Sequence, residues 1–179
     1  GTAACADAFF FAMPDRRAQS VAALILGSLY IGLPLATLLS IRALPQGMAW
    51  VYLLFANTWA TDIFALIGGR LFGRHKLAPS ISSGKTVEGA LIGLLCGGFA
   101  GVGVTLLFNL PPIPAMIINP LLSCLVIIGD LLESVFKRYY RIKDTSSILP
   151  GHGGFLDRID GLVLSVIPVY FVALVMGAF

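Results

Sequence analysis

The chain has 179 residues, of which 58% are hydrophobic and 12% are charged, and it carries a net charge of +3. The charged share is about half that of an ordinary soluble domain, and hydrophobic runs of about twenty residues recur. This composition excludes a soluble globular protein, and we expect the lipid bilayer rather than a nucleic acid as a partner of the chain.

Five hydrophobic runs follow one another along the chain, at residues 18–41, 46–69, 89–110, 113–132 and 161–179. Each is long enough to cross about 30 Å of hydrocarbon as a helix. A helix at the surface of a soluble protein has a polar face, whereas these runs are apolar all round. The sequence therefore predicts an all-α fold, a polytopic transmembrane helical bundle with about five spans.

The N-terminal segment, residues 3–13, is too short to cross a bilayer and lacks the basic start of a signal peptide. We interpret residues 1–17 as a truncated helix or an interfacial segment, followed by one membrane-embedded domain at 18–179. Cys5, Cys96 and Cys124 lie in apolar stretches. That placement is typical of buried free thiols rather than of a disulfide framework or a zinc site.

The cations are distributed unequally between the two sides of the predicted bundle. If the five spans alternate, the connections at 14–17, 70–88 and 133–160 lie on the same side. Of the 12 Lys and Arg residues, Arg42 alone falls on the opposite side. Because cytoplasmic loops of membrane proteins carry an excess of Lys and Arg, we expect the two long loops to face the cytosol.

Glycine recurs every four residues in the third run, at Gly89, Gly93, Gly97 and Gly101. In lipid, such a ridge lets another helix backbone approach closely. The pattern predicts a helix–helix contact rather than a ligand site. The partner helix belongs either to the same chain or to a second protomer, which leaves a homodimer through membrane helices open.

Two aspartates lie in apolar runs: Asp62, which follows Asn57 and Thr61, and Asp130 near the end of the fourth run. An acid in a membrane helix is costly and is usually functional. If the fourth run continues as a helix, one stripe carries two carboxylates, a hydroxyl and two cations. These residues are Asp130, Glu133, Ser134, Lys137 and Arg138.

The segment 143–160 combines acids, cations and glycines. The pairs at 150–151 and 153–154 interrupt a helix, and their glycines let backbone N–H groups approach a ligand. Asp157 and Asp160 then stand three residues apart at the start of the last run. Carboxylates suit Mg²⁺, and neighbouring cations suit phosphate. The mixture predicts phosphate chemistry with a divalent metal rather than cation transport.

The tetrapeptide SGKT at 83–86 is similar to the end of a phosphate-binding P-loop. That motif needs a glycine where Pro79 stands and a strand before it, and we expect no strand in a membrane context. Ser82, Lys85 and Thr86 could still contact phosphate without a P-loop. Serines at 80, 82 and 83 could equally cap the third helix.

From Ser134 to Asp160 the chain contains, in order, S-x-x-K-R, K-D, L-P-G-H-G-G and D-R-x-D. This pattern resembles the signature of the phosphatidate cytidylyltransferase family, also called CDP-diacylglycerol synthases. Residues 62–89 are similar to a second motif of that family, G-R-x-x-G-x-x-K-L-x-P-x-I-S-P-K-K-T-x-E-G. Ser83 and Gly84 replace its proline and one lysine, and Ile-Phe at 63–64 replaces Thr-Gly.

The resemblance implies a reaction in which phosphatidate and CTP give CDP-diacylglycerol and pyrophosphate, with Mg²⁺ as the cofactor. It implies Asp130 and Asp157 as metal ligands and, with Lys137 and Asp160, as the catalytic residues. The residues that it implies for substrate binding are Asp62, Ser82, Lys85, Ser134, Arg138, Lys143, Asp144, His152, Gly153, Gly154 and Arg158. A phosphate monoester is already anionic at neutral pH, so such a site supplies charge neutralisation and positioning rather than a strong base.

The resemblance also implies a bacterial inner membrane, with the active site facing the cytosol. Two alternatives predict different patterns. An ion-coupled transporter would use Asp62 and Asp130, but it would spread polar groups through the membrane midplane. A CDP-alcohol phosphatidyltransferase would need a D-G-x-x-A-R…D-x-x-x-D pattern, which the sequence lacks.

Overall fold

The computed structural model describes residues 16–139 and 156–177, and within them it contains five helices and a two-stranded sheet. The helices are α1 (Arg16–Ala43), α2 (Gly47–Phe72), α3 (Val87–Leu107), α4 (Pro112–Tyr139) and α5 (Leu156–Gly177). Strands β1 (Lys76–Ala78) and β2 (Ser82–Thr86) pair antiparallel between α2 and α3. The predicted all-α class is confirmed, with this small hairpin as an addition.

Four of the helices are long and apolar enough to cross a membrane: α1 over Leu24–Ala43, and α2, α3 and α4 over their whole lengths. The apolar part of α5, Gly161–Met176, is shorter. Each predicted run therefore corresponds to one helix of an integral membrane protein. Residues 1–15 lie outside the described part of the chain, so the interpretation of the N-terminal segment stays a prediction.

Two tight turns connect the helices at one end of the bundle. Between α1 and α2, Gln46 adopts a left-handed backbone conformation with φ 53°. Between α3 and α4, Asn109 does the same with φ 51°, and the Leu110 N–H donates to the Thr105 carbonyl at 3.0 Å. Asparagine tolerates this conformation at the end of a helix. Such short connections make α1 and α2, and likewise α3 and α4, antiparallel neighbours.

The predicted glycine ridge of α3 is a helix–helix contact within the chain. All four of its glycines are buried. A Cβ atom at Gly93 would lie 2.6 Å from the Thr61 carbonyl oxygen of α2, and one at Gly89 would lie 2.9 Å from the Gly69 Cα. Further along the ridge, Gly101 faces Asn119 of α4. The ridge is therefore occupied by α2 and α4 of the same chain, which answers the question of its partner.

A layer of uncharged polar side chains joins α2, α3 and α4 in the interior of the bundle. The Asn57 amide of α2 donates to the Gly97 carbonyl of α3 and to the Asn119 carbonyl of α4, both at 3.0 Å. Thr61 Oγ1 and Ser123 Oγ are hydrogen-bonded at 3.2 Å. Such bonds hold helices together where apolar burial does not. Asn57 and Thr61 therefore fix the register of three helices.

The apolar core lies where α1, α2, α4 and α5 meet. Its largest fully buried side chains include Ile41, Trp50, Leu53, Leu122 and Val166. Because these residues come from four helices, the core fixes the first half of α4 and the middle of α5 against the rest of the bundle.

Candidate functional site

The β1–β2 hairpin at the end of the bundle corrects one sequence-based expectation. No strand was expected next to the SGKT segment, yet β1 precedes it and β2 contains all of it. The prediction was wrong because residues 76–86 lie between two apolar helices rather than inside one, so their backbone groups pair with each other. Pro79 still stands where a P-loop needs glycine, and Lys85 lies within a strand.

The start of α3 ties the hairpin to the bundle. Thr86 is the cap: its Oγ1 accepts a hydrogen bond from the Gly89 N–H at 3.2 Å, so the serines at 80, 82 and 83 do not have this role. The Glu88 carboxylate accepts hydrogen bonds from the backbone N–H of Arg74 at 3.0 Å and of His75 at 3.2 Å. Glu88 Oε1 also lies 2.6 Å from His75 Nδ1.

A cavity of about 570 Å³ opens between α2, the hairpin, α3 and α4. Its polar lining consists of Asp62, Arg70, Ser82, Lys85, Thr86 and Asp130. Apolar side chains complete the wall, among them Ala65, Leu66 and Ile127. Asp62 and Arg70 lie two turns apart on α2, or about 12 Å along its axis. The cavity therefore extends from the charged end of the bundle into its apolar part.

Lys85 and Asp130 meet in this cavity, although 45 residues separate them. Lys85 Nζ lies 2.7 Å from Asp130 Oδ1, and the two side chains are 22% and 39% exposed. The Lys85 Nζ atom is buried and forms no further hydrogen bond within the described residues. The structure thus brings together four predicted site residues, Asp62, Ser82, Lys85 and Asp130. Among them they supply one ammonium group and two carboxylates to the cavity.

The C-terminal turns of α4 carry the rest of the predicted stripe. The helix continues to Tyr139, as the stripe required, and Ser134 Oγ donates to the Asp130 carbonyl at 2.8 Å. Lys137 Nζ lies 3.1 Å from Oε2 of the buried Glu133. Arg138 Nε donates to the Ile81 carbonyl at 3.2 Å, which ties the hairpin tip to α4. The predicted residues Ser134, Lys137 and Arg138 thus lie at the same end of the bundle as the cavity but do not line it.

The other predicted site residues fall on or beside the segment between α4 and α5. Lys143, Asp144, His152, Gly153 and Gly154 lie outside the described residues. Asp157, Arg158 and Asp160 belong to the first turns of α5, where only the helical backbone is described. Their proposed roles stay predictions.

Sequence reasoning missed two residues of this region. Arg70 was counted among the loop cations but received no individual role, yet it lines the cavity. Glu88 received no role, although it binds the base of the hairpin. Both residues lie within the second family-like motif, in its G-R and T-x-E-G parts, so the motif carried a signal that was not used.

The donor atoms of the cavity fit a divalent metal. Within the part of the chain that the structure describes, His, Cys, Asp and Glu form no group of three or more that could hold one. Mg²⁺, however, is commonly held by one or two carboxylates together with substrate phosphate oxygens. Asp130 supplies hard carboxylate oxygens to a cavity that also carries the cations Lys85 and Arg70, so the residues present suit Mg²⁺ arriving with a phosphate ligand.

Comparison with known proteins gives a consistent result. The model of the cytidylyltransferase family matches residues 3–176. A phosphatidate cytidylyltransferase of Staphylococcus saprophyticus is 40% identical over 148 residues, which cover 82% of this chain and 56% of that protein. The enzymes of the same name from Rickettsia bellii and Rickettsia typhi are both 36% identical, over 88% and 86% of this chain and 72% and 70% of their own lengths. The chain thus spans only a little over half of the Staphylococcus protein.

Proposed function

Because the chain belongs to the cytidylyltransferase family, we propose that it transfers the CMP group of CTP to phosphatidate, which gives CDP-diacylglycerol and pyrophosphate. The names of its relatives support this substrate pair. The observation that carries the proposal is the cavity in which Lys85 and Asp130 meet. It combines charged groups at the membrane surface with an apolar wall, as a reaction between a soluble nucleotide and a lipid headgroup requires.

The reaction joins two anions. A phosphate oxygen of phosphatidate attacks the α-phosphorus of CTP, a new P–O bond forms, the bond to the bridging α–β oxygen breaks, and pyrophosphate leaves. Repulsion between the two anions is the main obstacle, so the cations of the site reduce the barrier by neutralising charge and aligning the groups. Lys85 and Arg70 serve this role from the cavity wall, while Ala65, Leu66 and Ile127 accommodate the apolar part of the lipid.

Asp130 and Asp157 would hold the metal. Asp130 lies one turn after Val126 in α4, and Asp157 lies one turn before Gly161 in α5. A Cβ atom at Gly161 would lie 2.9 Å from Val126 Cγ1. If α4 and α5 run antiparallel, this contact sets both aspartates at one level of the bundle. When bound there, Mg²⁺ would neutralise charge on the nucleotide phosphates.

The remaining predicted residues complete the site in this proposal. Asp160 supports the metal ligands from the next turn of α5, and Ser134, Lys137, Arg138 and Arg158 provide phosphate contacts. The segment with Lys143, Asp144, His152, Gly153 and Gly154 encloses the nucleotide. We place the site on the cytosolic face of a bacterial inner membrane, where CTP is available.

The test is an assay with two differently labelled nucleotides, CTP carrying ³²P at the α-phosphorus and CTP carrying it at the γ-phosphorus. Membranes that contain the protein receive phosphatidate, Mg²⁺ and one of the two nucleotides. The α-label is expected in the lipid fraction and the γ-label in pyrophosphate. Lipid that carries the γ-label would indicate phosphoryl rather than cytidylyl transfer, and no labelled lipid from either nucleotide would contradict the proposal.

A further inference from the structure

The Glu88 carboxylate in the first turn of α3 binds the segment where the hairpin begins. It accepts hydrogen bonds from the backbone N–H groups of Arg74 and His75 and lies 2.6 Å from the His75 ring. A backbone hydrogen bond joins the same two segments: the Val87 N–H donates to the His75 carbonyl at 2.9 Å. The entry to the hairpin and its exit are therefore joined at one place, which we name the hairpin clamp (Arg74, His75, Val87 and Glu88).

Lys85 stands two residues before this clamp. Between them lies Thr86, which is 7% exposed, caps α3 and packs against the end of α2. A Cβ atom at Gly73 would lie 2.7 Å from Thr86 Cγ2. The backbone of β2 at Lys85 is thus held on its C-terminal side by contacts with α2, α3 and the hairpin entry. From that fixed backbone the Lys85 ammonium reaches Asp130 on α4.

We propose that Glu88 is a positioning residue for Lys85. Its carboxylate does not line the cavity and acts only through the hairpin clamp, which holds β2 where the Lys85 ammonium enters the cavity. The contact between Arg138 and Ile81 tethers only the tip of the hairpin. Without the Glu88 contacts the hairpin entry at Arg74 and His75 separates from the start of α3, β2 loses the support of its neighbouring strand, and Lys85 loses its alignment with Asp130. The expected loss of activity rests on the proposed function, whereas the expected displacement of Lys85 does not.

The geometric part is tested by amine acylation followed by peptide mass spectrometry, which compares the labelling rates of Lys85 and Lys76 in the folded protein. Lys76 lies on the same hairpin and is exposed, so it is the internal reference. In the wild-type protein Lys85 is expected to react more slowly than Lys76, because its ammonium is buried and paired. In Glu88→Ala its rate is expected to rise to that of Lys76.

Glu88→Gln is the conservative variant. It keeps one carbonyl oxygen for the backbone N–H groups of Arg74 and His75 but loses the charge, so the Lys85 labelling rate should fall between those of the wild type and Glu88→Ala. If Glu88→Ala does not fold, the labelling rate of Lys85 in Glu88→Gln decides. A rate above that of the wild type and below that of Lys76 supports the proposal, and a wild-type rate overturns it. If both variants fold and leave Lys85 as protected as in the wild type, the proposal is overturned as well.

The catalytic part is tested by kinetics with CTP. Loss of a hydrogen-bonded charge that orients a phosphate-binding group should lower kcat/KM by about tenfold to 100-fold in Glu88→Ala, with partial recovery in Glu88→Gln. A purely structural role would reduce the amount of folded enzyme and leave the KM for CTP unchanged, which would contradict the proposal. If the wild type forms no CDP-diacylglycerol, the proposed function fails, and the labelling experiment still decides the geometric part.

Discussion

At the scale of single residues, the Lys85–Asp130 pair has more significance for chemistry than for stability. Both side chains are partly exposed, and ion pairs of this kind contribute only about 0–1 kcal/mol to folding. In the proposed reaction, however, the same two groups are the cation and the acid that would contact a phosphate and its metal. The two groups neutralise each other in the structure, and in the proposed reaction each would exchange this contact for one with substrate.

The small contribution of the ion pair to stability, set against its proposed role in the reaction, leads to a prediction for Lys85→Met. This change keeps the length of the side chain and removes its charge. The melting temperature should change little, whereas the rate of CDP-diacylglycerol formation should fall on the order of 100-fold, as for the loss of a preorganised charge contact. Differential scanning fluorimetry and the lipid-labelling assay measure the two quantities.

Lys76→Met is the matched control, because Lys76 is an exposed cation of the same hairpin and does not line the cavity. It should retain near-normal activity. Equal losses of activity in the two variants would show that the hairpin contributes only general positive charge, and that Lys85 has no specific role.

The sequence indicated Lys85 and Asp130 separately but not their contact. Lys85 lies in the second family-like motif. Asp130 lies four residues before the first one, and an acid in an apolar run is a functional signal by itself. Their meeting depends on the path of a hairpin whose strands are three and five residues long. So short a polar segment has no periodicity from which strands can be predicted.

At the scale of secondary-structure elements, the helices were predictable because a bilayer leaves the backbone few alternatives. The glycine ridge was predictable as a contact surface, but its partners were not, since any helix backbone can approach glycine. The structure shows that the partners are α2 and α4 because Asn57 and Ser123 form polar contacts at the level of Gly97.

The ridge gives a prediction with a neighbouring control. A Cβ atom at Gly97 would collide with Thr61 Oγ1 and Ser123 Oγ, whereas one at Gly98 would meet no atom within 4 Å. Gly97→Ala should therefore destabilise the protein by about 1–3 kcal/mol through overpacking, and Gly98→Ala should not. Thermal unfolding in detergent compares the two variants.

Folded Gly97→Ala should keep a near-normal KM for CTP, because Gly97 does not line the cavity. A stable Gly97→Ala variant with a greatly raised KM for CTP would instead connect the ridge to the nucleotide site. Equal melting temperatures for the two variants would contradict the packing shown by the structure.

At the scale of the whole molecule, contacts between distant segments bring the hairpin and the C-terminal turns of α4 to one end of the bundle. Lys85 reaches Asp130, and Arg138 reaches Ile81, so the regions 70–88 and 133–139 lie together, as the cation distribution predicted. Which side of the membrane this end faces remains a prediction from the excess of positive charge.

Single cysteines test that orientation. In a background without Cys5, Cys96 and Cys124, Arg74→Cys and Ser147→Cys should resist a membrane-impermeant thiol reagent in intact cells and react after the membrane is permeabilised. Pro45→Cys, at an exposed position of the turn at the opposite end, should react in intact cells. Labelling of position 74 or 147 from outside would overturn the orientation.

If Asp130 and Asp157 share a Mg²⁺ site which CTP completes, as we propose, the activities of Asp130→Asn and Asp157→Asn at saturating Mg²⁺ will show it. Each change removes one charge and keeps the shape of the side chain, so each should reduce CDP-diacylglycerol formation on the order of 10³-fold in a folded protein. The double variant should be little worse than either single one, because groups that act as a unit are not additive. Asp7→Asn, outside the proposed site, should be near normal. If Asp130→Asn or Asp157→Asn keeps more than about a tenth of wild-type activity, that residue is not a metal ligand and the claim is contradicted.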